Sequence, residues 1–511
     1  MQWLELLAGL DVAELTGDAH VEVTAITHDS RLVEPGACFA CIPGDHVDGH
    51  DFAAAALEAG AAALLVERAA RLPRGVKVPA CARVPSVRRA LGPASANLFH
   101  HPSRALSCFG ITGTNGKTTT TYLLESIARA TRQRVGVIGT LGARITDDSG
   151  REDLRGSSHT TPEANELQAF LAHMRDVGVG TVAMEVSSHA LHQGRVDATW
   201  FAVACFTNLS HEHLDYHETI DAYFDAKATL FDSDRTAAAA VNVGDAHGRK
   251  LVALARERGL DVWTFAPDAG EDLTAAGLGG VDVRAEDVRF DANGTYFMLV
   301  DRRSGTRVDV DLGLVGQFNL ENALAASTTA RAAGFDLATI AAGLRAPVLV
   351  PGRFERVDAG QPFTVLVDYA HTPNALDRVL DAARRLATTD GRLLLVFGCG
   401  GDRDRGKRPL MGRVAGDGAD VAVVTSDNPR SETPDAISAA VLIGLSGRGA
   451  EVVVEHDRRA AIGLALGAAR AGDVVVIAGK GHEVGQTTGA RTVPFDDRMV
   501  VRDELGALGW S

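Results

Sequence analysis

A glycine-rich loop between an apolar run and a helical pattern is the feature that most constrains the fold of this chain. Glycine recurs at every third position, Gly110, Gly113 and Gly116, and Lys117 and Thr118 follow directly. Such glycines let backbone N–H groups turn towards a phosphate at a helix N-terminus, whose partial positive charge favours an anion. A lysine can then reach the β- and γ-phosphates, and a hydroxyl can reach Mg²⁺.

The loop predicts an enzyme that binds a nucleoside triphosphate, ATP, between a strand and a helix. The strict P-loop spacing is not met, because it would require glycine at Ile111. The alternative is a glycine-rich turn with a surface lysine. The residues expected around the phosphates are Gly113, Thr114, Asn115, Gly116, Lys117, Thr118 and Thr119.

The rest of the chain predicts an α/β protein with three domains. Its 511 residues suggest about three domains, and 46% apolar residues give each one a core. Strand and helix patterns alternate, which favours parallel sheets. The predicted domains are 1–104, 105–346 and 347–511, with a linker at 100–103. Residues 281–315 alternate in the strand period and predict an antiparallel appendage.

Charge and hydropathy exclude several classes of protein. The net charge of -15 argues against nucleic acid as a partner, because binding it requires a broad basic face. No apolar stretch approaches the ~18 residues of a membrane span. The N-terminus lacks a secretion signal, and the six cysteines are scattered, which predicts a cytoplasmic protein without disulfides. Cys38 and Cys41 have metal-ligand spacing but no second pair, so an ordinary buried strand is the favoured interpretation and zinc the alternative.

Polar residues follow two other strand patterns of the central region. Glu185 ends an apolar run, where a carboxylate beside a phosphate loop is a good Mg²⁺ ligand, although it could also cap the next turn. His213 follows the next strand and is a candidate metal ligand that Asp215 would orient, with simple hydrogen bonding as the alternative. Lys227 lies on a helix pattern, and a solvated helix face is its simplest interpretation.

Three polar loops of the C-terminal region follow apolar strands. In open α/β sheets, ligands bind at the carboxyl ends of strands. These loops are 398–403, 426–430 and 479–483. They predict a second ligand site.

These motifs together resemble the Mur ligases, ATP-dependent amide-forming enzymes of peptidoglycan precursor synthesis. The matching stretches follow the family's order along the chain. They are 113–119, 184–189, 208–217, 316–322, 351–355, 368–374 and 478–483. His28-Asp29-Ser30-Arg31 and Asp427-Asn428-Pro429-Arg430 resemble the branch that adds the third residue of the peptide.

The resemblance implies a UDP-binding N-terminal domain, a central P-loop-type ATPase domain and a C-terminal Rossmann-like domain that binds an amino acid. It implies Mg²⁺ as cofactor, ATP as co-substrate, and Lys117, Lys227, His213 and Glu185 as catalytic residues. Nucleotide contacts would also come from Asn319, Asn322 and Arg353. The metal would be held by Thr118, Glu185, His213 and Lys227, the last as N6-carboxylysine, a carbamate.

The resemblance also implies two further sets of ligand contacts. The UDP-muramoyl dipeptide would contact Ser30, Asp45, His46, Val47, Thr160, Thr161, Ser187, Gln193 and Arg195. Diaminopimelate would contact Arg403, Asp427, Asn428, Pro429, Arg430, Gly479 and Glu483. Two positions depart from the family's pattern, Glu212 and Asn374, where aspartate is usual.

The expected reaction joins the D-glutamyl γ-carboxylate of UDP-N-acetylmuramoyl-L-alanyl-D-glutamate to diaminopimelate through an acyl phosphate. Two alternatives stay open. One is a related ligase, either another Mur-type enzyme or folylpolyglutamate synthase. The other is a P-loop regulatory or motor protein. Arg430 favours diaminopimelate over these alternatives, because a guanidinium matches its second carboxylate with two parallel hydrogen bonds. A surface ion pair with Asp427 or Glu432 would also account for Arg430.

Overall fold

Three β-sheets follow one another along the chain, and helices cover them. The structure is a computed structural model that describes residues 1–44, 47–70, 72–73, 75–154, 159–267, 280–291 and 293–510. Within these ranges, no helix is long and apolar enough to cross a membrane.

The first sheet has five strands, and all but the β1–β5 pair run parallel. The strands are β1 Glu14–Gly17, β2 Ala25–Thr27, β3 Ala37–Ala40, β4 Ala63–Val66 and β5 Ala80–Arg83, in the order β1-β5-β4-β3-β2. A strand over 21–27 was expected, but only its last three residues join the sheet. Residues 21–23 instead exchange backbone hydrogen bonds with residues 1–3, as in Trp3 N–H to Val21 O.

The second sheet has eleven strands, parallel in its middle and antiparallel at both ends. They are β6 Ser107–Thr112, β7 Arg134–Gly139, β8 Gly142–Asp147, β9 Gly150–Leu154, β10 Val179–Glu185, β11 Phe201–Phe206, β12 Thr236–Asn242, β13 Asp261–Ala266, β14 Val283–Phe290, β15 Thr295–Asp301 and β16 Thr306–Leu312. Their order is β16-β15-β14-β13-β12-β11-β6-β10-β7-β8-β9.

The predicted antiparallel segment at 281–315 is therefore part of the central sheet. Its first strand, β14, pairs in parallel with β13, and β15 and β16 continue the sheet as antiparallel neighbours. It is not a separate appendage, because Phe265 and Ala266 extend β13 far enough to pair with Val283 and Arg284.

The third sheet has six strands, and a separate hairpin follows it. The strands are β17 Glu355–Val357, β18 Thr364–Asp368, β19 Leu393–Phe397, β20 Val421–Val424, β21 Glu451–Val454 and β22 Val474–Ala478, in the order β17-β18-β22-β19-β20-β21. Strands β23 Gly485–Thr488 and β24 Arg491–Pro494 form the hairpin. β17 is antiparallel to β18, and the other pairs of this sheet are parallel.

Helices fill most of the connections between strands. They are α1 Trp3–Leu6, α2 Ala53–Glu58, α3 Val87–Leu98, α4 Lys117–Arg129, α5 Ala164–Asp176, α6 Ser188–His192, α7 Leu214–His217, α8 Ile220–Ala228, α9 Ala246–Glu257, α10 Gln317–Ala332, α11 Leu337–Arg345, α12 Pro373–Arg384, α13 Lys407–Gly418, α14 Pro434–Leu445, α15 Arg458–Ala468 and α16 Asp497–Ala507.

Successive residues of the central strands belong to two different cores. On β10, Val182 and Met184 lie in one core, and Ala183 lies in the other. A parallel sheet buried on both faces explains why these strands are apolar without alternation. The charged side chain of β10 stands at its end, at Glu185.

The predicted linker at 100–103 contains a sharp turn. His100 and His101 have φ values of 57° and 51°, and a short 3₁₀ turn, Pro102–Arg104, follows them. Each sheet lies within one of the three predicted domains. The boundaries after residues 104 and 346 stay predictions.

All six cysteines are free thiols. Cys38 lies on β3, and Cys41 lies just after it; both side chains are buried. Burial raises the pKa of the Cys41 thiol to about 12, so these residues belong to the apolar core of the first sheet.

Candidate active site

The glycine loop connects β6 to α4 at the carboxyl edge of the central sheet. Gly113 and Gly116 have φ values of 148° and 87°, in the region that favours glycine. A Cβ atom at Gly113 would lie 1.9 Å from Thr207 Oγ1, and one at Gly116 would lie 2.3 Å from Asn322 Oδ1. The close neighbours and the backbone angles both require glycine here.

The Lys117 side chain folds back over this loop. Its Nζ donates hydrogen bonds of 2.9 Å to the carbonyl oxygens of Gly113 and Thr114. Burial lowers the pKa of Lys117, and the charges of Glu212 and Glu185 oppose that shift. The Lys117 ammonium therefore lies over the loop, within reach of an anion bound to the backbone N–H groups of the loop.

Glu185 joins the loop to the neighbouring strand. Its carboxylate accepts hydrogen bonds from the Thr118 hydroxyl at 3.0 Å and from the backbone and hydroxyl of Thr140 at 2.9 and 3.0 Å. Only 2% of the residue is exposed. The next helix, α6, is capped by Ser187 rather than by Glu185, so the capping alternative for Glu185 is wrong.

Lys227 is buried beneath the loop. Only 1% of the residue is exposed, its Nζ donates to Gly113 O at 2.9 Å, and the ammonium lies 4.5 Å from the centre of the Tyr223 ring. Burial, together with the nearby charge of Lys117, holds the pKa of Lys227 well below its usual range. The solvated-face interpretation of Lys227 is therefore wrong.

Two cavities meet at this edge of the central sheet. The smaller, of about 240 Å³, contains the phosphate loop, Glu185 and Arg353. The larger, of about 730 Å³, lies against the strand ends of the third sheet. Four residues line both cavities: Glu212, His213, Tyr369 and His371.

Glu212 and His371 connect the central and C-terminal regions across this shared wall. His371 Nε2 lies 3.3 Å from Glu212 Oε1, and His213 Nε2 lies 3.8 Å from Glu212 Oε2. Burial alone would raise the pKa of Glu212, but the hydrogen bond from His371 and the charge of Lys117 hold it well below its usual range. Glu212, which stands where the family usually has aspartate, therefore connects the central region with the C-terminal region through His371.

The His213 imidazole lies at the edge of both cavities, with 43% of its side chain exposed. Burial lowers its pKa to about 4, and a neutral ring is the form that binds a metal ion. Asp215 was expected to orient this ring, but its side chain is exposed and makes no hydrogen bond to His213 among the described residues. The adjacent carboxylate is that of Glu212.

The remaining predicted nucleotide contacts lie on α10 and just before β17. Asn322 and Arg353 line the smaller cavity, and Arg353 Nη2 lies 3.4 Å from the Thr118 hydroxyl. Asn319 lies behind Asn322 and accepts its amide N–H at 3.3 Å. The guanidinium of Arg353 also stacks 4.4 Å above the Tyr369 ring.

The predicted dipeptide contacts gather after β10. Thr160 and Ser187 line the smaller cavity. The Thr161 hydroxyl donates to Glu185 O at 2.9 Å, Arg195 donates to Thr161 O at 3.1 Å, and Gln193 donates to the Tyr216 hydroxyl at 3.3 Å.

The predicted uridine diphosphate contacts are only partly described. Asp45 and His46 lie outside the described residues. Ser30 begins a 3₁₀ turn after β2, and Val47 is exposed. Neither Ser30 nor Val47 lines the two cavities.

The larger cavity brings together most of the residues predicted to contact the amino acid. They are Arg403, Asp427, Asn428, Arg430, Gly479 and Glu483. Pro429 belongs to the same loop. Lys407 also lines the cavity. The cavity thus offers cations and carboxylates together, which suits an amino acid with a charged group of each sign at both ends.

Arg430 makes no carboxylate contact in the described part of the chain. Its Nη1 donates to Gly401 O at 2.7 Å, and its backbone, with φ of 51°, is held by Thr487 O and Gly489 N of the β23–β24 hairpin. Glu432 instead pairs with Arg405 and Arg408. The ion-pair alternative for Arg430 is therefore wrong.

Several contributors to the site were not assigned from the sequence, among them Thr140, His371 and Lys407. His371 lies in the polar run after β18, so the strand-end rule could have indicated it. Lys407 donates to His371 O at 2.9 Å, and Thr140 lies after β7. Thr140 also follows a strand directly, so the same rule could have indicated it. The contact of Lys407 joins segments 36 positions apart, and no local pattern indicates it.

A triphosphate loop beside a second, charged cavity is the arrangement of an enzyme that activates one substrate with ATP and joins it to another. The chain belongs to the Mur ligase family of ATP-dependent amide-forming enzymes. The Mur ligase family catalytic domain matches residues 22–98, the Mur ligase middle domain 111–330, and the Mur ligase glutamate ligase domain 352–481.

Full-length relatives share almost half of the sequence. A protein of Streptomyces coelicolor is 45% identical, with 98% of this chain and 96% of the relative covered. One of Geobacillus kaustophilus is 44% identical, with 100% of both chains covered. Both are named UDP-N-acetylmuramoyl-L-alanyl-D-glutamate–2,6-diaminopimelate ligase.

Solved structures show the same fold. A structure of a UDP-N-acetylmuramoyl-L-alanyl-D-glutamate–2,6-diaminopimelate ligase matches with a TM-score of 0.68 and 34% identity over 100% of both chains. Mycobacterium tuberculosis folylpolyglutamate synthase complexed with ADP matches with a TM-score of 0.61 and 20% identity, over 76% of this chain and 91% of that one. The second likeness concerns the fold alone.

Proposed function

We propose that this chain forms an amide bond between the D-glutamyl γ-carboxylate of UDP-N-acetylmuramoyl-L-alanyl-D-glutamate and diaminopimelate, with release of ADP and phosphate. The observation that carries the proposal is the wall shared by the two cavities. A phosphate loop opens on one side of Glu212 and His371, and a cavity with Arg403, Arg430 and Glu483 opens on the other. The names of the full-length relatives support the same substrates.

The chemistry explains why two adjoining cavities are needed. A carboxylate resists an amine because its charge repels the nucleophile and oxide is a poor leaving group. In the proposed reaction the γ-carboxylate oxygen attacks the γ-phosphorus of ATP, and ADP leaves. The amine of diaminopimelate then attacks the resulting acyl phosphate, the C–O bond breaks, and phosphate and a proton are released. The second step requires the cavity that holds the amine to open onto the cavity where the acyl phosphate forms.

Lys117 and the loop N–H groups would hold the transferring phosphoryl group in this reaction. Bound Mg²⁺ would offset its negative charge. Thr118, Glu185 and His213 suit such a metal ion, because a hydroxyl, a buried carboxylate and an imidazole face one cavity. Thr160, Thr161, Ser187, Gln193 and Arg195 would hold the dipeptide, and Ser30, Asp45, His46 and Val47 the uridine diphosphate.

Lys227 would complete the metal site as a carbamate. A buried ammonium beside Lys117 repels a cation, whereas its neutral amine adds CO₂ and loses a proton to become a carboxylate. The lowered pKa of Lys227 favours the neutral amine that this addition requires.

Replacing Lys227 with alanine is expected to lower turnover by roughly a hundredfold or more, because the metal loses a carboxylate ligand. A short carboxylic acid in the assay should restore part of the loss, since it can occupy the space left by the side chain. Lys250→Ala removes an exposed lysine and is the control. The mass of the intact protein under CO₂ should exceed the sequence mass by one CO₂. Full activity of Lys227→Ala, or no effect of the acid, would refute the carbamate.

The alternative ligases differ in the acceptor or in the amine. Folylpolyglutamate synthase shares the fold at 20% identity. A solved UDP-N-acetylmuramoylalanyl-D-glutamyl-2,6-diaminopimelate–D-alanyl-D-alanyl ligase is also 20% identical, and its name gives a substrate that already contains diaminopimelate. The charged cavity around Arg430 favours diaminopimelate over either. Phosphate release measured with each substrate omitted in turn tests the reaction, because only the complete mixture should sustain it.

A further inference from the structure

Glu432 holds together two loops that line the larger cavity, which is proposed to bind the amino acid. One loop follows β19 and carries Arg403; the other follows β20 and carries Arg430. Glu432 lies at the end of the second loop, outside the set of residues that line the cavity. We propose that Glu432, paired with Arg408, is a positioning residue that fixes Arg430 for selective binding of diaminopimelate. The inference rests on the proposed role of Arg430.

The Glu432 carboxylate, at the end of the second loop, accepts hydrogen bonds from the first loop and from α13. It accepts from Arg408 Nη1 and Nη2 at 3.0 and 2.8 Å, a two-bond fork. It also accepts from the backbone N–H of Asp402 at 2.8 Å. Arg408 has 3% of its side chain exposed and also donates to Gly400 O at 3.2 Å. The pair therefore ties the first loop in place from both sides.

The first loop in turn holds Arg430. Gly401 N–H donates to Asn428 O at 2.9 Å, and Gly401 O accepts from Arg430 Nη1 at 2.7 Å. The approach is so close that a Cβ atom at Gly401 would lie 1.8 Å from Pro429 O. A shift of Gly401 would therefore release the guanidinium that is proposed to face the second carboxylate of the substrate.

A second contact, between Asp402 and Ser431, also joins the two loops. The carboxylate of Asp402 accepts from the Ser431 backbone at 3.1 Å and from its hydroxyl at 2.6 Å. Asp402 also has a positive φ of 52°, so its position depends on the contacts around it. Glu432 accepts the backbone N–H of Asp402, so loss of the Glu432 charge would loosen the contact between the two loops.

The test is the steady-state kinetics of Glu432→Gln. Glutamine keeps the shape but leaves the buried Arg408 without a charged partner, so the Michaelis constant for diaminopimelate should rise about 10- to 100-fold. The Michaelis constants for ATP and the dipeptide substrate should stay within about twofold, since their contacts are elsewhere. The preference for diaminopimelate over lysine should fall along with the affinity.

Arg408→Lys is the second variant, because it keeps a charge but loses the fork. Its effect should match that of Glu432→Gln, and the double variant should be no worse than either, since both remove the same contact. Asp473→Asn is the matched control: it removes a buried carboxylate paired with Arg392 at the opposite end of the same sheet. It should lower the melting temperature without changing the Michaelis constants.

Three outcomes would overturn the inference: unchanged diaminopimelate kinetics in both variants, equal losses for all three substrates, or the same selectivity loss in Asp473→Asn. Failure of the proposed function is a separate result, because it would already appear in the wild-type enzyme as an inability to join diaminopimelate to the dipeptide substrate.

Discussion

Replacing Lys117 with alanine is expected to lower turnover about a thousandfold, because one positioned cation against a transferring phosphoryl group supplies several kcal/mol. The side chain folds over the loop, and its hydrogen-bond partners within the described residues are the Gly113 and Thr114 carbonyls. Since both contacts are local, their loss should leave the fold intact. The rate of ADP formation in the complete reaction is the measurement.

Two controls separate chemistry from folding in this experiment. The melting temperature of Lys117→Ala should stay close to that of the wild type. Arg129→Ala, an exposed change at the other end of α4, should retain full turnover. A Lys117→Ala enzyme with more than roughly a tenth of wild-type turnover would contradict the assignment of the phosphate loop.

The second large effect is expected at Arg430. Diaminopimelate carries a carboxylate and an amine at the end remote from the reacting amine, whereas lysine carries only an ammonium. The guanidinium matches the carboxylate with two hydrogen bonds and repels a lone ammonium. Arg430→Ala should therefore cost about 2–5 kcal/mol of binding, which raises the Michaelis constant for diaminopimelate roughly 30-fold to several thousandfold.

The conservative variant Arg430→Lys should recover only part of this loss, since an ammonium cannot form the fork. Arg470→Ala removes an exposed arginine at the opposite end of the same sheet and should have no effect. The wild-type enzyme should use diaminopimelate and largely refuse lysine. Equal catalytic efficiency with the two amino acids would disprove the role of Arg430 but leave the ligase assignment in place.

The sequence predicted the site best where local rules decide the structure. The glycine loop, the position of Glu185 at the end of β10 and the loops after β19, β20 and β22 all follow from residue type and strand periodicity. Because these strands are mostly apolar, the polar runs that follow them stand out in the sequence. The family membership and the α/β fold class with parallel sheets are confirmed, while the domain boundaries and the roles of individual residues stay predictions.

Long-range contacts set the limit of that prediction. Lys227 looked like a surface residue because its helix carries no signal of the partner, Gly113 O, which lies 114 positions earlier in the chain. The contact between Glu212 and His371 joins two regions that local patterns treat separately. Strand β14 joins the central sheet by pairing with β13. Alternation of apolar and polar residues predicts a strand, but it does not show whether the strand extends an existing sheet or forms an appendage.

The most direct test of the proposed reaction follows an oxygen atom. If the D-glutamyl γ-carboxylate attacks ATP, a substrate labelled with ¹⁸O on that carboxylate should pass one labelled oxygen to the released phosphate and keep the other in the new amide. Phosphate from the complete mixture of ATP, dipeptide substrate and diaminopimelate should therefore carry one ¹⁸O atom per amide formed. Unlabelled phosphate, or sustained phosphate release without diaminopimelate, would contradict an acyl-phosphate ligase.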